Sequence, residues 1–242
     1  MSLSKDENNT CDIKILLRNF LESSGRQKKS IANAIENRVE DIYSLGEETF
    51  KIFDRENEDW SVGWLLQILK RHKPDFFKKY NSNQYFNWVK TSSEYGLDFS
   101  MLQKFLVQED FENADRLTSS FLRTLAGEDA VKRGYVFYSE VTQMPSNDLA
   151  SIDKLWFIYS QGKFGFSVQA NILKSVGKRY DKLWPRIGWK LDGIWTRYPS
   201  SFNWSLSAPE GHMPLINQLR GVRLMDSILK HPAISGRHKI DL

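Results

Sequence analysis

The sequence predicts an all-α protein, with a small N-terminal helical bundle followed by an all-helical core that carries a long aromatic loop region. Apolar residues recur at spacings of three and four through most of the 242-residue chain, a pattern typical of amphipathic helices. No segment reads clearly as a pair of strands. Glycine and proline residues break up an aromatic stretch near the C-terminal end, which predicts a region of loops and single turns there.

The first 72 residues contain three runs with helical periodicity, and Gly25 and Gly46 stand where helix ends are expected. Residues 73–97 are richer in Asn, Lys and aromatic residues and have poor periodicity, which leaves room for one short helix at most. We therefore predict an N-terminal helical bundle over 1–80, a linker over 81–97 and a core domain over 98–242.

The core begins with two helices, FSMLQKFLVQ and DFENADRLTSSFLRTLAG. Asp110 is the expected N-cap of the second, and Gly127 its expected C-terminal stop. Pro145 to Asp148 break the chain before a further helix, LASIDKLWFIYS. The run SVQANILKSVG predicts another helix, capped by Ser167 and stopped by a glycine.

The last long helix is predicted to open at Pro214 and to end before Pro232. Three polar residues spaced by three share one side of it: Asn217, Arg220 and Arg223. Because the helix is otherwise apolar nearly all round, it is expected to be mostly buried. Its arginines must then pair with acids such as Glu210 or Asp226, or line a wet cleft, and the sequence leaves both interpretations open.

Residues 156–204 form the most unusual segment of the chain. They hold five of the eight tryptophans and eight Lys or Arg against two acids, a local net charge of +6 in a chain of net charge +4. Trp156 and Trp189 fit an ordinary core. Four rings lie among loop-forming residues, where large side chains are hard to hide from water: Trp195, Tyr198, Phe202 and Trp204. The segment predicts an apolar concave surface ringed with positive charge, suited to a flat apolar ligand with carboxylates at one edge.

Composition excludes several classes of protein. Hydrophobic residues make up 40% and charged residues 26%, the mean hydropathy is −0.50, and no run is long enough for a membrane span. The N-terminal residues lack the features of a signal or transit peptide. Cys11 is the only cysteine, so the sequence predicts no internal disulfide and no cysteine-based metal site.

No motif supports catalysis. The four histidines are scattered, and His212 is more simply explained as a loop histidine bonded to the backbone than as a ligand to a metal or substrate. Residues 162–167, GKFGFS, lack the spacing of a phosphate-binding loop. We interpret them as a tight turn between helices with its phenylalanines packed inward.

Several segments together resemble the genomes-uncoupled family of magnesium-chelatase regulators, found in cyanobacteria, algae and plants: DFENADRLT, LWFIYSQGKFGFSVQ, KLWPRIGWK, IWTRYP and FNWSLSAPEGHMPLINQLRGVR. The resemblance runs from about Phe99 to Pro232 and is specific, because many rare residues fall in the same order. Residues before about 83 are similar only to the helical extension of cyanobacterial members, and loosely.

The resemblance implies a porphyrin-binding core that is not an enzyme and has no cofactor of its own. It implies non-covalent binding of protoporphyrin IX and magnesium protoporphyrin IX, and stimulation of magnesium chelatase through that enzyme's large porphyrin-binding subunit. It also implies work in the plastid stroma or the cyanobacterial cytoplasm, no nucleic-acid partner, and peripheral association with a membrane.

The family's site motifs fall on residues that helical spacing and the aromatic segment also single out. Its N-Q-L-R-G-V-R motif places Asn217, Arg220 and Arg223 in the porphyrin site. Tyr198 stands where its T-R-W-P motif often has tryptophan. The expected site is completed by Trp195, Phe202, Trp204 and Leu215.

Two other functions fit the same residues. Aromatic rings among Lys and Arg also stack on bases, so a module that binds single-stranded nucleic acid is the alternative. An adaptor whose aromatic loop docks another protein is a third possibility, and it predicts no pigment binding.

Overall fold

A computed structural model describes residues 5–79, 85–216 and 222–237, with side chains from residue 12 onward. Most of these residues are helical, which confirms the predicted all-α class. The N-terminal helices are α1 Lys5–Glu22, α2 Gly25–Glu36, α3 Val39–Leu45, α4 Ser61–His72 and α5 Asp75–Lys79, with a 3-10 helix at Gly46–Ile52. The later helices are α6 Ser100–Val107, α7 Phe111–Ala126, α8 Glu128–Arg133, α9 Ser146–Ile158, α10 Phe166–Ser175, α11 Tyr180–Arg186 and α12 Arg223–Lys230, with a second 3-10 helix at Tyr138–Gln143.

Helix α4 lies where the N-terminal helices meet the rest of the chain. Residues 61–69 are all buried, because α3 packs on α4 and so do α6 and α9. Gly63 permits the close approach to α9, since a Cβ added there would lie 2.6 Å from the backbone oxygen of Ile158. The Gln67 amide donates to the carbonyl oxygens of Leu106 at 2.9 Å and Tyr159 at 2.6 Å. The bond to Tyr159 satisfies a carbonyl at the end of α9, and the bond to Leu106 adds a second donor to a carbonyl that already accepts from the backbone amide of Glu109.

The segment that leads into α6 is held by side chains from both directions. The Arg55 guanidinium donates to the carbonyl oxygen of Trp88 at 2.8 Å. Gln103, from α6, exchanges two hydrogen bonds with the backbone of Val89. Asp148, from α9, accepts from the backbone amide of Glu94 at 2.9 Å. As its poor helical periodicity predicts, this segment has an irregular backbone. The division of the chain into domains over 1–80 and 98–242 stays a prediction.

The predicted ends of α7 are confirmed. The Asp110 carboxylate accepts from the backbone amide of Asn113 at the N-terminus, as expected for an N-cap. Gly127 follows the last helical residue with a φ of 105°, a conformation that side chains rarely adopt.

The start of α10 differs from the prediction. Ser167 was expected to be its N-cap, but the helix begins at Phe166 and Ser167 lies inside its first turn. The Asp153 carboxylate, from α9, accepts from the backbone amide of Ser167 at 2.8 Å and so takes over the capping role. The preceding turn is as predicted, because Phe164 and Phe166 are fully buried.

A short strand pair, which the sequence analysis did not predict, follows α11. Strands β1, Lys190–Leu191, and β2, Ile194–Trp195, pair antiparallel across a two-residue turn. Asp192 and Gly193 in that turn both have positive φ, 48° and 82°, which is the requirement of the tightest hairpin turns.

The predicted last helix is wrong at its start. Residues 214–216 are not helical, and α12 begins only at Arg223. The carbonyl of Pro214 accepts from the Gln169 side chain at 2.9 Å, so the backbone there is bonded to α10. Helix α12 is also buried on one face only, through Met225, Ile228 and Leu229. That face packs against α10 and the 3-10 helix at Tyr138–Gln143.

Candidate functional site

A hollow lies between α7 and the segment that follows α11. Its cavity volume is about 810 Å³. It is lined by Asp115, Ser119, Trp189, Trp195, Thr196, Arg197, Tyr198, Ser200, Phe202 and Leu215. We call this the larger hollow. Its volume falls within the ~300–1,000 Å³ typical of small-molecule sites.

The predicted rings differ in exposure. Trp195 is 47% exposed and Tyr198 is 42% exposed, as expected for rings in such a segment. Phe202 is only 8% exposed, although its place among loop-forming residues predicted a ring that is hard to shield from water. It stacks on Trp204 with ring centroids 5.4 Å apart and packs against His212 at 4.8 Å. Trp204 therefore supports the wall from behind and does not line the larger hollow.

The hairpin positions Trp195 at the edge of this wall. The ring of Trp195 packs against Trp184 at 5.6 Å, and Trp184 stacks nearly parallel on Trp189 at 5.8 Å. The ammonium of Lys190, directly across the strand pair, lies 5.4 Å from the Trp195 ring centroid. The cation and the neighbouring ring keep the indole in place while about half of it faces solvent.

A buried carboxylate joins the two sides of the larger hollow. Asp115, on α7, is 2% exposed. It accepts from the Tyr198 hydroxyl at 3.0 Å and from the backbone amide of Leu215 at 2.6 Å. Burial raises the pKa of the Asp115 carboxyl to about 7, although both hydrogen bonds act in the opposite direction.

His212 is bonded to the backbone, as predicted. One ring nitrogen, Nδ1, lies 2.7 Å from the carbonyl oxygen of Ile187, and Nε2 accepts from the backbone amide of Asn203 at 3.3 Å. Nδ1 is therefore the donor in a neutral ring, and burial lowers the pKa of His212. Both ring nitrogens are used within the loop, so His212 offers the hollow no free ligand atom.

A second cavity of about 350 Å³ adjoins the first, and we call it the smaller hollow. The two share Ser119 and Leu215. The smaller hollow is lined further by Leu122, Arg123, Gly134, Tyr135, Val136, Phe137, Tyr138, Ile216, Arg223, Leu224 and Ile228. The two hollows together form one aromatic trough along α7.

Arg223 lies at this smaller hollow, at the first residue of α12. Its guanidinium carbon is 5.4 Å from the ring centroid of Tyr138. The ion pair with Asp226 that the sequence left open does not form, because Asp226 pairs with Lys230 at 2.8 Å and accepts from Tyr180. Within the described ranges, no carboxylate lies within ion-pair distance of Arg223. Asn217 and Arg220 fall outside the described residues.

Sequence reasoning missed the wall that α7 provides. Asp115, Ser119 and Arg123 are spaced by four and so lie on one face of the helix, and Arg123 donates to the Ser119 hydroxyl at 2.9 Å. The signal was a row of polar residues at helical spacing within an otherwise amphipathic helix. A second missed wall is the aromatic run after Gly134, where Phe137 and Tyr138 are 41% and 46% exposed.

The family assignment rests on the part of the chain that carries this trough. The sequence profile described as GUN4-like matches residues 92–232. The chain belongs to the GUN4-like family. The matched range contains both hollows and all of the predicted site residues, and it excludes α1 to α5.

Curated relatives come from a cyanobacterium and from a plant. A Ycf53-like protein of Synechocystis is 48% identical over 143 residues, which cover 59% of this chain and 61% of that protein. The chloroplastic tetrapyrrole-binding protein of Arabidopsis thaliana is 41% identical over 146 residues, covering 57% of this chain and 55% of that protein. The chain thus matches about three fifths of the length of these relatives.

Solved structures resemble the same part of the chain. GUN4 of Chlamydomonas reinhardtii is 38% identical with a TM-score of 0.57, over 60% of this chain and 95% of that one. Ligand-free GUN4 of Arabidopsis thaliana is 40% identical with a TM-score of 0.54, over 58% of this chain and 99% of that one.

The described residues contain no group of three His, Cys, Asp or Glu side chains placed to hold a metal ion. They also contain no helix with the length and apolar character needed to cross a bilayer.

Proposed function

We propose that this chain is a non-catalytic porphyrin-binding regulator that binds protoporphyrin IX and magnesium protoporphyrin IX and stimulates magnesium chelatase. The observation that carries the proposal is the aromatic trough along α7, with a combined open volume and a chemistry that suit a flat macrocycle. The tetrapyrrole-binding name of the Arabidopsis relative supports the ligand class. Membership of the GUN4-like family supports the regulatory role.

The apolar part of the ligand would lie against exposed rings. Trp195 and Tyr198 on one side and Phe137 and Tyr138 on the other leave large apolar surface open to water. Covering that surface with a macrocycle is favourable by roughly 25 cal/mol per Å² of apolar area buried. Rings held in place by other rings lose little further conformational entropy on binding, which favours affinity.

The charged edge of the ligand would meet arginines. A porphyrin of this class carries two propionates at one edge of the disc. Arg197 lines the larger hollow, and Arg123 and Arg223 line the smaller one. Arginine forms charge-assisted hydrogen bonds with carboxylates in a two-pronged geometry, so it can fix the orientation of the disc. From the family motif we also propose that Asn217 and Arg220 bind these propionates.

The remaining expectations complete the proposal. The chelatase contact would be with that enzyme's large porphyrin-binding subunit, and the protein would work in the plastid stroma or the cyanobacterial cytoplasm. Relatives from a cyanobacterium and a chloroplast are consistent with either location. We also propose peripheral association with a membrane.

A porphyrin titration tests the proposal. Purified protein should shift the Soret band of protoporphyrin IX and quench tryptophan fluorescence, with micromolar affinity or tighter, roughly −8 kcal/mol or better. A parallel titration with single-stranded oligonucleotide at two salt concentrations tests the alternative module. An unshifted Soret band at saturating porphyrin would refute pigment binding, and salt-sensitive oligonucleotide binding in its place would favour the alternative.

A further inference from the structure

Tyr198 is the one ring of the larger hollow whose hydroxyl is bonded to a buried acid. Its ring packs edge-on against Phe202 at 5.6 Å and Trp204 at 5.9 Å, and its hydroxyl donates to Asp115 at 3.0 Å. The bond joins residues 83 positions apart in the chain. It therefore ties the segment after the hairpin to α7 across the hollow.

The second bond of Asp115 holds another lining residue of the same cavity. The backbone amide of Leu215 donates to it at 2.6 Å. One residue earlier, the carbonyl of Pro214 accepts from Gln169 on α10. Leu215 lines both hollows, so its position decides how they join. The carboxylate thus holds two separate walls at once.

A carboxylate is a costly residue for a purely structural role at this place. Asp115 is almost fully buried, and its neighbour Arg116 is engaged in an ion pair with Glu112 at 2.7 Å. A neutral side chain would accept a hydrogen bond here without the cost of burying a charge. What the acid adds is a second acceptor oxygen, because Tyr198 bonds to one carboxyl oxygen and Leu215 to the other.

We propose that Asp115 is a positioning residue that holds Tyr198 and Leu215 in the geometry that retains a porphyrin. The proposal rests on the proposed function, since it names the group that holds the walls of the same trough in place. Breaking the bond between Tyr198 and Asp115 releases the segment after the hairpin from α7. The ligand then leaves faster, while its entry is little changed because the exposed rings remain.

Tyr198→Phe tests the proposal, because it removes only the hydroxyl. Tyr180→Phe is a matched control: the Tyr180 hydroxyl also donates to an aspartate, Asp226, at 3.0 Å, but neither residue lines a hollow. Porphyrin dissociation would be measured by stopped flow, by mixing the loaded protein with excess apomyoglobin as a trap. Tyr198→Phe should speed dissociation about tenfold, and Tyr180→Phe should change it less than twofold.

A double-mutant cycle separates a direct bond from general loosening. Combined with Asp115→Ala, Tyr198→Phe should produce no further increase in the dissociation rate, because its partner is already gone. Equal dissociation rates for wild type and Tyr198→Phe, or equal acceleration by Tyr180→Phe, would overturn the proposal. Because Tyr198→Phe retains the ring, the comparison of Tyr198→Phe with Tyr180→Phe still tests the proposal if Asp115→Ala does not fold. Failure of wild-type protein to bind porphyrin would instead refute the proposed function.

Discussion

Arg223→Met should weaken the binding of protoporphyrin IX by removing a cation from the edge of the smaller hollow. Methionine keeps part of the apolar stem that packs near Tyr138, so the change acts mainly on charge. The structure supplies the reason to expect an effect, because no carboxylate among the described residues neutralises Arg223. A propionate would therefore be an anionic partner that the described residues do not supply.

The expected loss of porphyrin affinity is set by the solvent exposure of Arg223. A hydrogen bond to a charged group contributes about 1.5–3 kcal/mol when shielded from water. Arg223 is exposed, and solvent reduces the contribution of such pairs towards about 1 kcal/mol or less. We therefore expect roughly a fivefold increase in Kd, from the rule that ~1.4 kcal/mol is tenfold.

The assay compares two ligands. Soret titrations of wild type and Arg223→Met would be run with protoporphyrin IX and with its dimethyl ester, which has the same ring but no propionate charge. The diacid should lose about fivefold in affinity, worked from the solvent-screened contribution above, and the ester should lose almost nothing. Arg186→Met, on the exposed side of α11, is the control and should leave both affinities unchanged.

Two results would contradict the role proposed for Arg223. An equal loss for diacid and ester would mean that Arg223 shapes the hollow and does not meet the propionates. No loss for either ligand would place the charged edge of the disc elsewhere in the trough. Either interpretation requires that Arg223→Met and wild type have the same melting temperature.

Two further predictions concern stability. Burial raises the pKa of Asp115 to about 7, above an unfolded value of about 3.9, so the folded state holds the extra proton and stability falls as pH rises between these values. The melting temperature of Asp115→Asn relative to wild type should therefore be higher at pH 8 than at pH 5, and a pH-independent difference would contradict this. Gly63→Ala places a Cβ 2.6 Å from the Ile158 oxygen. Overpacking of about 1–3 kcal/mol should outweigh the gain of about 1 kcal/mol in helix propensity, and lower the denaturant midpoint without changing porphyrin affinity per folded molecule; an unchanged midpoint would show that α4 and α9 do not pack closely.

Local patterns predicted what local physics determines. The N-cap at Asp110, the stop at Gly127 and the inward phenylalanines of the 162–167 turn depend on residues a few positions apart. His212 was predicted to bond to the backbone because a loop offers many unpaired carbonyls and amides. Such features need no knowledge of the tertiary fold.

The errors arose where distant residues override a local preference. Pro214 and the apolar run after it predict a helix, but side chains from α7 and α10 bond to the backbone at 214 and 215. Ser167 fits an N-cap by type, but the helix starts one residue earlier and Asp153, from α9, accepts from the backbone amide of Ser167 in the first turn. Phe202 is hidden by Trp204 and His212, which no spacing rule connects to it. The hairpin was missed although Asp192-Gly193 is a strong local signal, because its strands have only two residues each.

The row of indoles beside the larger hollow gives the protein a built-in optical reporter. Trp184 and Trp189 are stacked with planes 6° apart, and Trp195 touches the first of them. Excitation energy can pass along such a row towards its half-exposed end, where emission overlaps the absorption of a porphyrin. Trp60, Trp64 and Trp88 pack among the N-terminal aromatic residues instead. A bound macrocycle should therefore quench Trp184, Trp189 and Trp195 more strongly than Trp60, Trp64 and Trp88.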